Sequence, residues 1–565
     1  MTAPHLLLDY AYDHEEALRD KVFLTQPIGG GRVLDYTWAQ TMDQARRMAA
    51  HLKAQNFEPG ARIAILSKNC AHFVMAELAI WMAGGTTVAI FPTELADTVS
   101  YVLEHSGASL LLIGKLDTWE LQKNGVPAGL PCIAFPLAPA TATATATASD
   151  SWDSIVARTA PLTGRGSRAG TDLALIAYTS GSTGQPKGVM HNFECGTRAA
   201  EGIVKDQLLR MGEIPDARVL SYLPLAHIYE RAWVECASLV YGKTHIYFAE
   251  ALDTFLQDLN RARPTSFISV PRLWLKFQQG VFTKMSPKKL DRLLSIPILG
   301  RIVGRKVLKG LGLDQAILAG SGSAPIPAEL IDWYRRIGLR LFEGYAMTED
   351  FAYSHSSKDG FNAPGCVGTA LPGVQLRFSD EGEILIKSPG QMVGYYKRPE
   401  LTAEVFTEDG FFRTGDKGQL TDKGLLKLTG RVKEIFKTSK GKYVAPAPIE
   451  NHLNAHPLVE MAIVSGVGQS AAYAMVVLAE NIRPRVQEPA IRTRVESELG
   501  QLLKDLNSKL ADYEKLQMVV IAPVPWSIEN GCLTPTMKIK RSRIEASVDA
   551  TVPSWYANGK PVQWA

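Results

Sequence analysis

The segment Thr179-Ser180-Gly181-Ser182-Thr183-Gly184-Gln185-Pro186-Lys187-Gly188 concentrates residue types that hold phosphate. Its glycines let backbone N–H groups approach an anion, its hydroxyls donate further hydrogen bonds, and Lys187 adds a positive charge. A polar turn would have a similar composition. The spacing departs from the GxxxxGK[ST] loop of nucleotide triphosphatases, because Pro186 stands five residues after Gly181, so a P-loop ATPase or kinase is disfavoured. Near the other end of the chain, Thr534 to Arg541 (TPTMKIKR) sets Lys538 and Lys540 two residues apart, where a solvated basic strand end is the simplest alternative.

These groups need a scaffold. The phosphate-type loop follows the apolar run LALIAY (173–178) and precedes the helix-like stretch VMHNFECGTRAAEGIV, so a strand and a helix start are expected to flank it. Similar short apolar runs recur as ARIAIL (61–66), TTVAIF (86–91), SLLLIG (109–114) and TSFISV (265–270), alternating with stretches of helical period. That alternation predicts α/β layers with largely parallel strands. Residues 136–150, PLAPATATATATASD, offer little to bury and are expected to form a flexible surface loop. From 365 to about 430, short runs punctuated by glycine (GEILIKSPG, GLLKLTG) predict a β-rich subdomain of antiparallel hairpins. Beyond Gly430, VEMAIVSGV, AYAMVVLAE and LQMVVIAP, with a helical stretch at 491–510, predict a separate small α+β domain. The expected organisation is a large N-terminal domain, 1–431, of layered α/β subdomains plus the β-rich one, and a small mobile C-terminal domain, 432–565.

The 565 residues are 46% hydrophobic and 21% charged, enough for several cores. A formal charge of +4 over this length supplies no global attraction to nucleic acid. The six cysteines lie far apart without a CxxC pair, which argues against a disulfide scaffold or zinc knuckle and for reduced thiols in a cytoplasm. The opening residues lack a secretory pattern, and no apolar run reaches membrane-spanning length, so the expectation is a protein neither exported nor integral.

YTSGSTGQPKGVM resembles the signature loop of the adenylate-forming superfamily, which contains acyl-CoA synthetases, luciferases and peptide-synthetase adenylation domains. Further matching motifs follow in order: Leu223 to Arg231 (LPLAHIYER), Ala319 to Ile326 (AGSGSAPI), Glu343 to Glu349 (EGYAMTE), Tyr395-Tyr396 with Arg398-Pro399, Phe412 to Asp416 (FRTGD), Gly430 to Glu434 (GRVKE), and Thr534 to Arg541. The resemblance spans residues 178–541 and is nearest to long-chain fatty acyl-CoA synthetases.

The resemblance implies a two-step reaction: a carboxylate is converted by ATP to acyl-AMP, then handed to a thiol, with coenzyme A the expected acceptor. Charge neutralisation and positioning must dominate the first step, because the carboxylate attacks an anionic phosphate. It implies that Glu349 coordinates Mg2+, that Thr348 contacts the α-phosphate, and that the loop from Thr179 through Ser180, Gly181, Ser182, Thr183, Gly184 and Lys187 holds the departing phosphates. Ser323, Ala324, Glu343, Gly344 and Tyr345 fall among the implied nucleotide contacts, Tyr345 as a flat face for adenine. Asp416 is implied to accept from the ribose hydroxyls, with Arg431 as a second ribose or phosphate contact. Lys538 is implied to be the mobile catalytic lysine, although Met537 stands where short-chain relatives have glycine. Thioester formation would require the C-terminal domain to rotate about Lys433, bringing in the loop 436–450, where Gly441 would let the pantetheine arm pass.

Acyl preference is read from two places. Ala346 stands where acetate-activating relatives carry a pocket-closing tryptophan, and Ile228 stands where amino-acid-activating domains have an acid. Both point to a medium- to long-chain fatty acid, with His227 beside its carboxylate, although a lone histidine beside apolar residues is more often a structural hydrogen-bonder. Loading of a carrier protein and a nucleotide-binding protein without catalysis are the other readings. Residues 284–309 carry eight Lys or Arg against the single acid Asp291, which describes either a solvated helical face or a peripheral contact with anionic membrane. Oligomeric state is not legible in the sequence.

Overall fold

The computed structural model describes residues 5–144, 148–179, 185–360, 363, 365–534 and 537–565. The apolar runs become the parallel centre of an eight-stranded sheet: Leu173–Thr179, Thr86–Ile90, Arg62–Leu66, Leu110–Ile113 and Cys132–Ala134 lie side by side in that order. Helices such as Trp38–Ala54 and the wholly buried Ala71–Met82 pack on it, which is why these strands are apolar on both faces.

Two expectations are corrected. The stretch 136–150 is not simply a loop: Ala140–Ala144 is a helical turn, and Ala148–Ser151 adds the last parallel strand by pairing with Cys132–Ala134. Residues 145–147 lie outside the described residues. The strand's one free edge accepts backbone hydrogen bonds from any extended segment, so pairing prevails where side chains offer little. Nor does a helix follow the phosphate-type loop directly. Lys187–Asn192 forms a strand antiparallel to Leu173–Thr179, with Thr179 opposite Lys187, and the helix Phe193–Met211 starts only after it, capped by Asn192. Thr179 and Lys187 are thus paired across an antiparallel ladder, and among the described residues the first helix after them begins at Phe193.

A second sheet aligns Ser266–Ser269, Leu318–Ser321 and Leu341–Tyr345 in parallel, then adds His355–Ser356 and Thr369–Ala370 antiparallel. A third sheet joins the hairpin of Val22–Pro27 and Val33–Thr37 to Ala217–Ser221 and Thr244–Phe248. The glycine-punctuated region forms the expected antiparallel sheet, closing with Phe412–Leu420 and Leu426–Arg431.

Beyond Arg431, a two-stranded hairpin (Phe436–Lys437, Tyr443–Val444) precedes a four-stranded sheet of Val459–Ser465, Ala472–Leu478, Leu516–Ile521 and Val562–Trp564, with the helix Pro489–Asn507 on one face. Its two hydrophobic clusters contain residues from 436 onward only. The architecture is thus mixed α/β, a large N-terminal domain followed by a smaller C-terminal one. Among the described residues no helix is long and apolar enough to cross a membrane.

Candidate active site

Parallel strands deliver their carboxyl ends to one side of a sheet, where loops can present polar groups. Here Leu318–Ser321 runs into Ser323 and Ala324, both exposed, and Leu341–Tyr345 runs into Ala346, Thr348 and Glu349. Ser323 holds a left-handed φ of +67°, a strained geometry for a residue with a Cβ and one that clusters at functional sites. Gly344 carries no side chain at the same level, where a Cβ would make ordinary contacts with the carbonyls of His355 at 3.5 Å and Ser321 at 3.9 Å. Glu343 differs from its implied role. Its carboxyl is buried, accepts from Ile326 N–H at 3.1 Å, and is raised to about 8 by burial, so it braces the Ser323–Ala324 loop from beneath.

The turn bearing Thr348 and Glu349 is built by residues that motif reading passed over. The Asp350 carboxylate accepts from Met347 N–H at 3.0 Å, and His191, neutral because burial lowers its pKa to about 4, bonds Thr348 O at 2.8 Å. Glu349 Oε1 accepts from Tyr395 O–H at 2.7 Å, and the Lys187 ammonium lies 4.4 Å over the Tyr395 ring. Burial lowers the Lys187 pKa, with Glu349 opposing and Lys433 and Arg431 reinforcing the shift. Ser180, Gly181, Ser182, Thr183 and Gly184, the centre of the loop, lie outside the described residues.

Asp416, in the Phe412–Leu420 strand, sits directly across from Arg431. Its Oδ1 accepts from Arg431 Nε at 2.8 Å and its Oδ2 from Tyr345 O–H at 2.7 Å. Lys538 comes to the same place from the small domain. It is accessible because it lines the cleft between the domains, yet protein crowds it enough to lower its pKa; Arg431 adds to that, and Glu349 and Asp416 oppose it. The opposite wall holds His227, whose pKa is lowered to about 3 by burial and then by Lys538. Tyr229 N–H donates to His227 Nδ1 at 3.1 Å, so the neutral ring carries its proton on Nε2.

The small domain is held in this pose by an ion pair between Arg272 of the large domain and Glu460, which also meets Arg483 at 3.0 Å. Lys540 faces Glu94, whose carboxyl is raised to about 7 by burial against the pull of that lysine. The lysine segment itself is a tight turn: Met537 N–H donates to Thr534 O, and Lys538 N–H to Thr534 Oγ1 at 3.0 Å. Met537 takes φ +62°, so the position that is glycine in short-chain relatives demands a left-handed backbone here too. Met537→Gly is expected to keep full activity, whereas the β-branched Met537→Val should lose roughly tenfold in the first half-reaction, since left-handed geometry costs ~1–2 kcal/mol and more for branched side chains. Single-turnover pyrophosphate release would measure both.

His227 is positioned by a buried network that no motif signals. Asn69 Nδ2 donates to Leu223 O at 2.7 Å and Asn69 Oδ1 accepts from Leu225 N–H at 2.9 Å. Arg231, paired with Glu77, donates from Nε and Nη2 to Leu225 O at 3.0 and 2.9 Å. Both faces of the Leu225 peptide are thereby gripped, within a segment that continues into a π-helical turn, Arg231–Cys236. Ile228 is buried beside it, and Ala346, Tyr229 and Trp233 pack against the same core.

The structure thus gathers Lys187, His227, Tyr345, Thr348, Glu349, Asp416, Arg431 and Lys538 around one cleft. Gly441 is not brought there. It tops the exposed Phe436–Val444 hairpin at φ +75°, and among the described residues that hairpin hydrogen-bonds only within the small domain. Lys433 is exposed in the turn after Arg431, close enough to act on Lys187.

A large α/β domain whose strand ends face a small domain carrying a lysine into the cleft defines a two-domain protein with its site between the domains, and family comparison gives that class its identity. The chain belongs to the AMP-binding enzyme family: the AMP-binding enzyme model matches residues 13–396, and the AMP-binding enzyme C-terminal domain matches 433–560. It is similar to the long-chain-fatty-acid–CoA ligase FadD15 of Mycobacterium bovis, 30% identical over 592 residues and 96% of each chain. It is also similar to human long-chain-fatty-acid–CoA ligase 1, 26% identical over 93% of this chain and 83% of that one. Among solved structures, the adenylation domain of a carboxylate reductase from Mycobacterium chelonae shares the fold with a TM-score of 0.79 at 23% identity, covering 98% of this chain and 91% of that one. An anthranilate CoA ligase bound to anthranoyl-AMP shares it with a TM-score of 0.76 at 18% identity, covering 97% and 98%.

Proposed function

We infer that this chain activates a medium- to long-chain fatty acid with ATP, releasing pyrophosphate and forming acyl-AMP, then transfers the acyl group to coenzyme A to give acyl-CoA and AMP. It is an AMP-forming fatty acid–CoA ligase. The observation that carries this reading is the convergence of Lys538 on His227, Glu349, Asp416 and Arg431 across the domain boundary. Near full-length similarity to long-chain fatty acid–CoA ligases supports the acid and the acceptor.

In the first step a carboxylate oxygen attacks the α-phosphorus, and the bond to the β-phosphate breaks as pyrophosphate leaves. Lys538 and Lys187 bring positive charge to oxygens that gain negative charge, Lys538 at the reacting carboxylate and α-phosphate, Lys187 at the departing phosphates. His227 offers Nε2–H to the carboxylate and, being neutral, does not compete for its charge. Asp416 exchanges its Tyr345 and Arg431 partners for ribose hydroxyls. Among the described residues no group of three His, Cys, Asp or Glu side chains could hold a metal, but Glu349 would offer Mg2+ one hard oxygen ligand. Held by Glu349, Mg2+ would neutralise phosphate charge.

In the second step the thiol sulfur attacks the acyl carbon and AMP leaves, its proton passing to solvent. Rotation of residues 432–565 about Lys433 withdraws Lys538 and brings Gly441 to the cleft, a reading supported by the separate cores on either side of that turn. The missing side chain at Gly344 and the small Ala346 favour room for an alkyl chain. We place the enzyme in the cytoplasm, a reducing compartment in keeping with six unpaired cysteines.

Pyrophosphate release and thioester formation, measured over carboxylates of increasing chain length with and without coenzyme A, test the whole reading. Release should need a fatty acid and ATP, and acyl-CoA should accumulate only with coenzyme A. Fatty-acid-dependent release without any thioester would overturn the acceptor in favour of a carrier protein, and no release would overturn the enzyme.

A further inference from the structure

The basic stretch 284–309 folds as two helices, Pro287–Leu294 and Pro297–Gly310, on the outside of the sheet that carries Ser323 and Glu349. The second helix is anchored from behind. Gly300 abuts the carbonyl of Leu294 and Gly304 that of Ile337, each so closely that a Cβ would lie 2.5 Å from the oxygen, and Leu308 is buried one turn further on. Residues at this four-residue spacing share a face, so the opposite face looks straight out.

That outward face begins with bare isoleucines. Ile298 is 78% and Ile302 60% exposed, one turn apart, with Ile296 and Leu299 beside them also exposed. A helix seldom leaves such side chains in water when they adjoin one another. The rest of the face is cationic: Arg301, Arg305, Lys306 and Lys309 follow on the same helix, and Lys288, Lys289 and Arg292 stand on the shorter one. All eight Lys and Arg of 284–309 are exposed, and among the described residues none makes an ion pair. The stretch's only acid, Asp291, is occupied by Arg336 at 3.0 Å. Elsewhere arginines such as Arg46, Arg231 and Arg377 are satisfied by carboxylates.

We propose that this face docks on an anionic lipid bilayer, with Ile298 and Ile302 inserted at the headgroup boundary and the surrounding cations on lipid phosphates. Both halves of the surface are needed for that choice. Unpaired cations alone would suit any polyanion, but a nucleic acid backbone offers no medium for exposed isoleucines, whereas a bilayer satisfies both at once. The tight glycine seats on Leu294 and Ile337 make the helix a rigid platform, so little order is lost on binding. The proposal adds a partner to the fatty-acid reading, since such acids partition into bilayers, but it stands on surface chemistry that is separate from the cleft.

Vesicle flotation tests it. The full chain should float with phosphatidylglycerol–phosphatidylcholine vesicles and not with phosphatidylcholine alone, and raising ionic strength from about 0.1 M to about 1 M, which shortens the screening length from about 10 Å to about 3 Å, should release it. Replacing Arg301, Arg305, Lys306 and Lys309 by glutamine should weaken partitioning by on the order of a hundredfold or more, given that each such cation strengthens binding severalfold. Ile298→Ser with Ile302→Ser should also weaken it, by on the order of tenfold or more. Both variants should retain wild-type coenzyme A ligation of a medium-chain, water-soluble fatty acid without vesicles, which shows that they fold and separates this result from the fate of the ligase assignment. Equal flotation with neutral vesicles, no flotation, or unchanged binding by either variant would overturn the proposal. So would retention on duplex nucleic acid that exceeds vesicle binding, or self-association without lipid that Ile298→Ser with Ile302→Ser abolishes.

Discussion

Lys538→Ala is expected to reduce acyl-AMP formation on the order of a thousandfold, the loss seen when a group aimed at developing charge is removed from a site shielded from bulk water. The physical reason lies in its surroundings. Lys538 is the only one of the converging groups contributed by the small domain, and it enters beside Glu349, Asp416 and Arg431 with His227 on the far wall. Arg431 bonds Asp416 through Nε, and Lys187 lies over Tyr395 beside Glu349. Neither is placed to replace Lys538 at the reacting carboxylate. Thioester formation from preformed acyl-AMP uses the other pose of the small domain, so it should remain within about threefold of wild type. Paired measurements of pyrophosphate release and of acyl-CoA from chemically made acyl-AMP decide the matter, and an equal loss in both would refute the role.

Lys433→Pro should show the reverse pattern. The backbone between Arg431 and Phe436 must change φ and ψ for the small domain to turn, and proline fixes φ near −65°. In this pose proline removes no hydrogen bond at 433, because Lys433 N–H donates none among the described residues, while its neighbours Val432 and Glu434 donate to Gly415 O and Arg431 O. Adenylation should therefore stay within about twofold, while thioester formation falls by roughly tenfold or more, as when a hinge that gates a catalytic step is stiffened. The same two assays, together with Lys433→Ala as a control for loss of charge, provide the check. A proline variant that slows adenylation and thioester formation alike would mean that the turn shapes the cleft instead of moving the domain.

Motif reading found most residues that project into the cleft and few that hold them there. Thr348, Glu349, Asp416, Arg431 and Lys538 were identifiable because the chemistry requires particular functional groups at particular points of a motif. Asn69, Glu77, His191 and Asp350 were not, because their work is to fix backbone groups of segments distant in sequence, and any buried polar side chain of suitable shape can do that. Glu343 was legible as a motif member but not in its role, which only its burial against Ile326 reveals. The helix expected after the phosphate-type loop failed for a related reason. Lys187–Asn192 reads equally well as a helix start or a strand, and the free edge of Leu173–Thr179 decided for the strand.

The sequence by itself determined the layered α/β class, the family, the two-domain order and the candidate site side chains, because periodicity and motif chemistry are local properties. Tertiary structure decided which of these side chains meet, that Met537 must adopt a left-handed backbone, and that the cations of 284–309 surround bare isoleucines and make no ion pair among the described residues. Those outcomes depend on contacts between segments far apart in the chain and on which surface is left over after packing, and neither is written in any one stretch of residues.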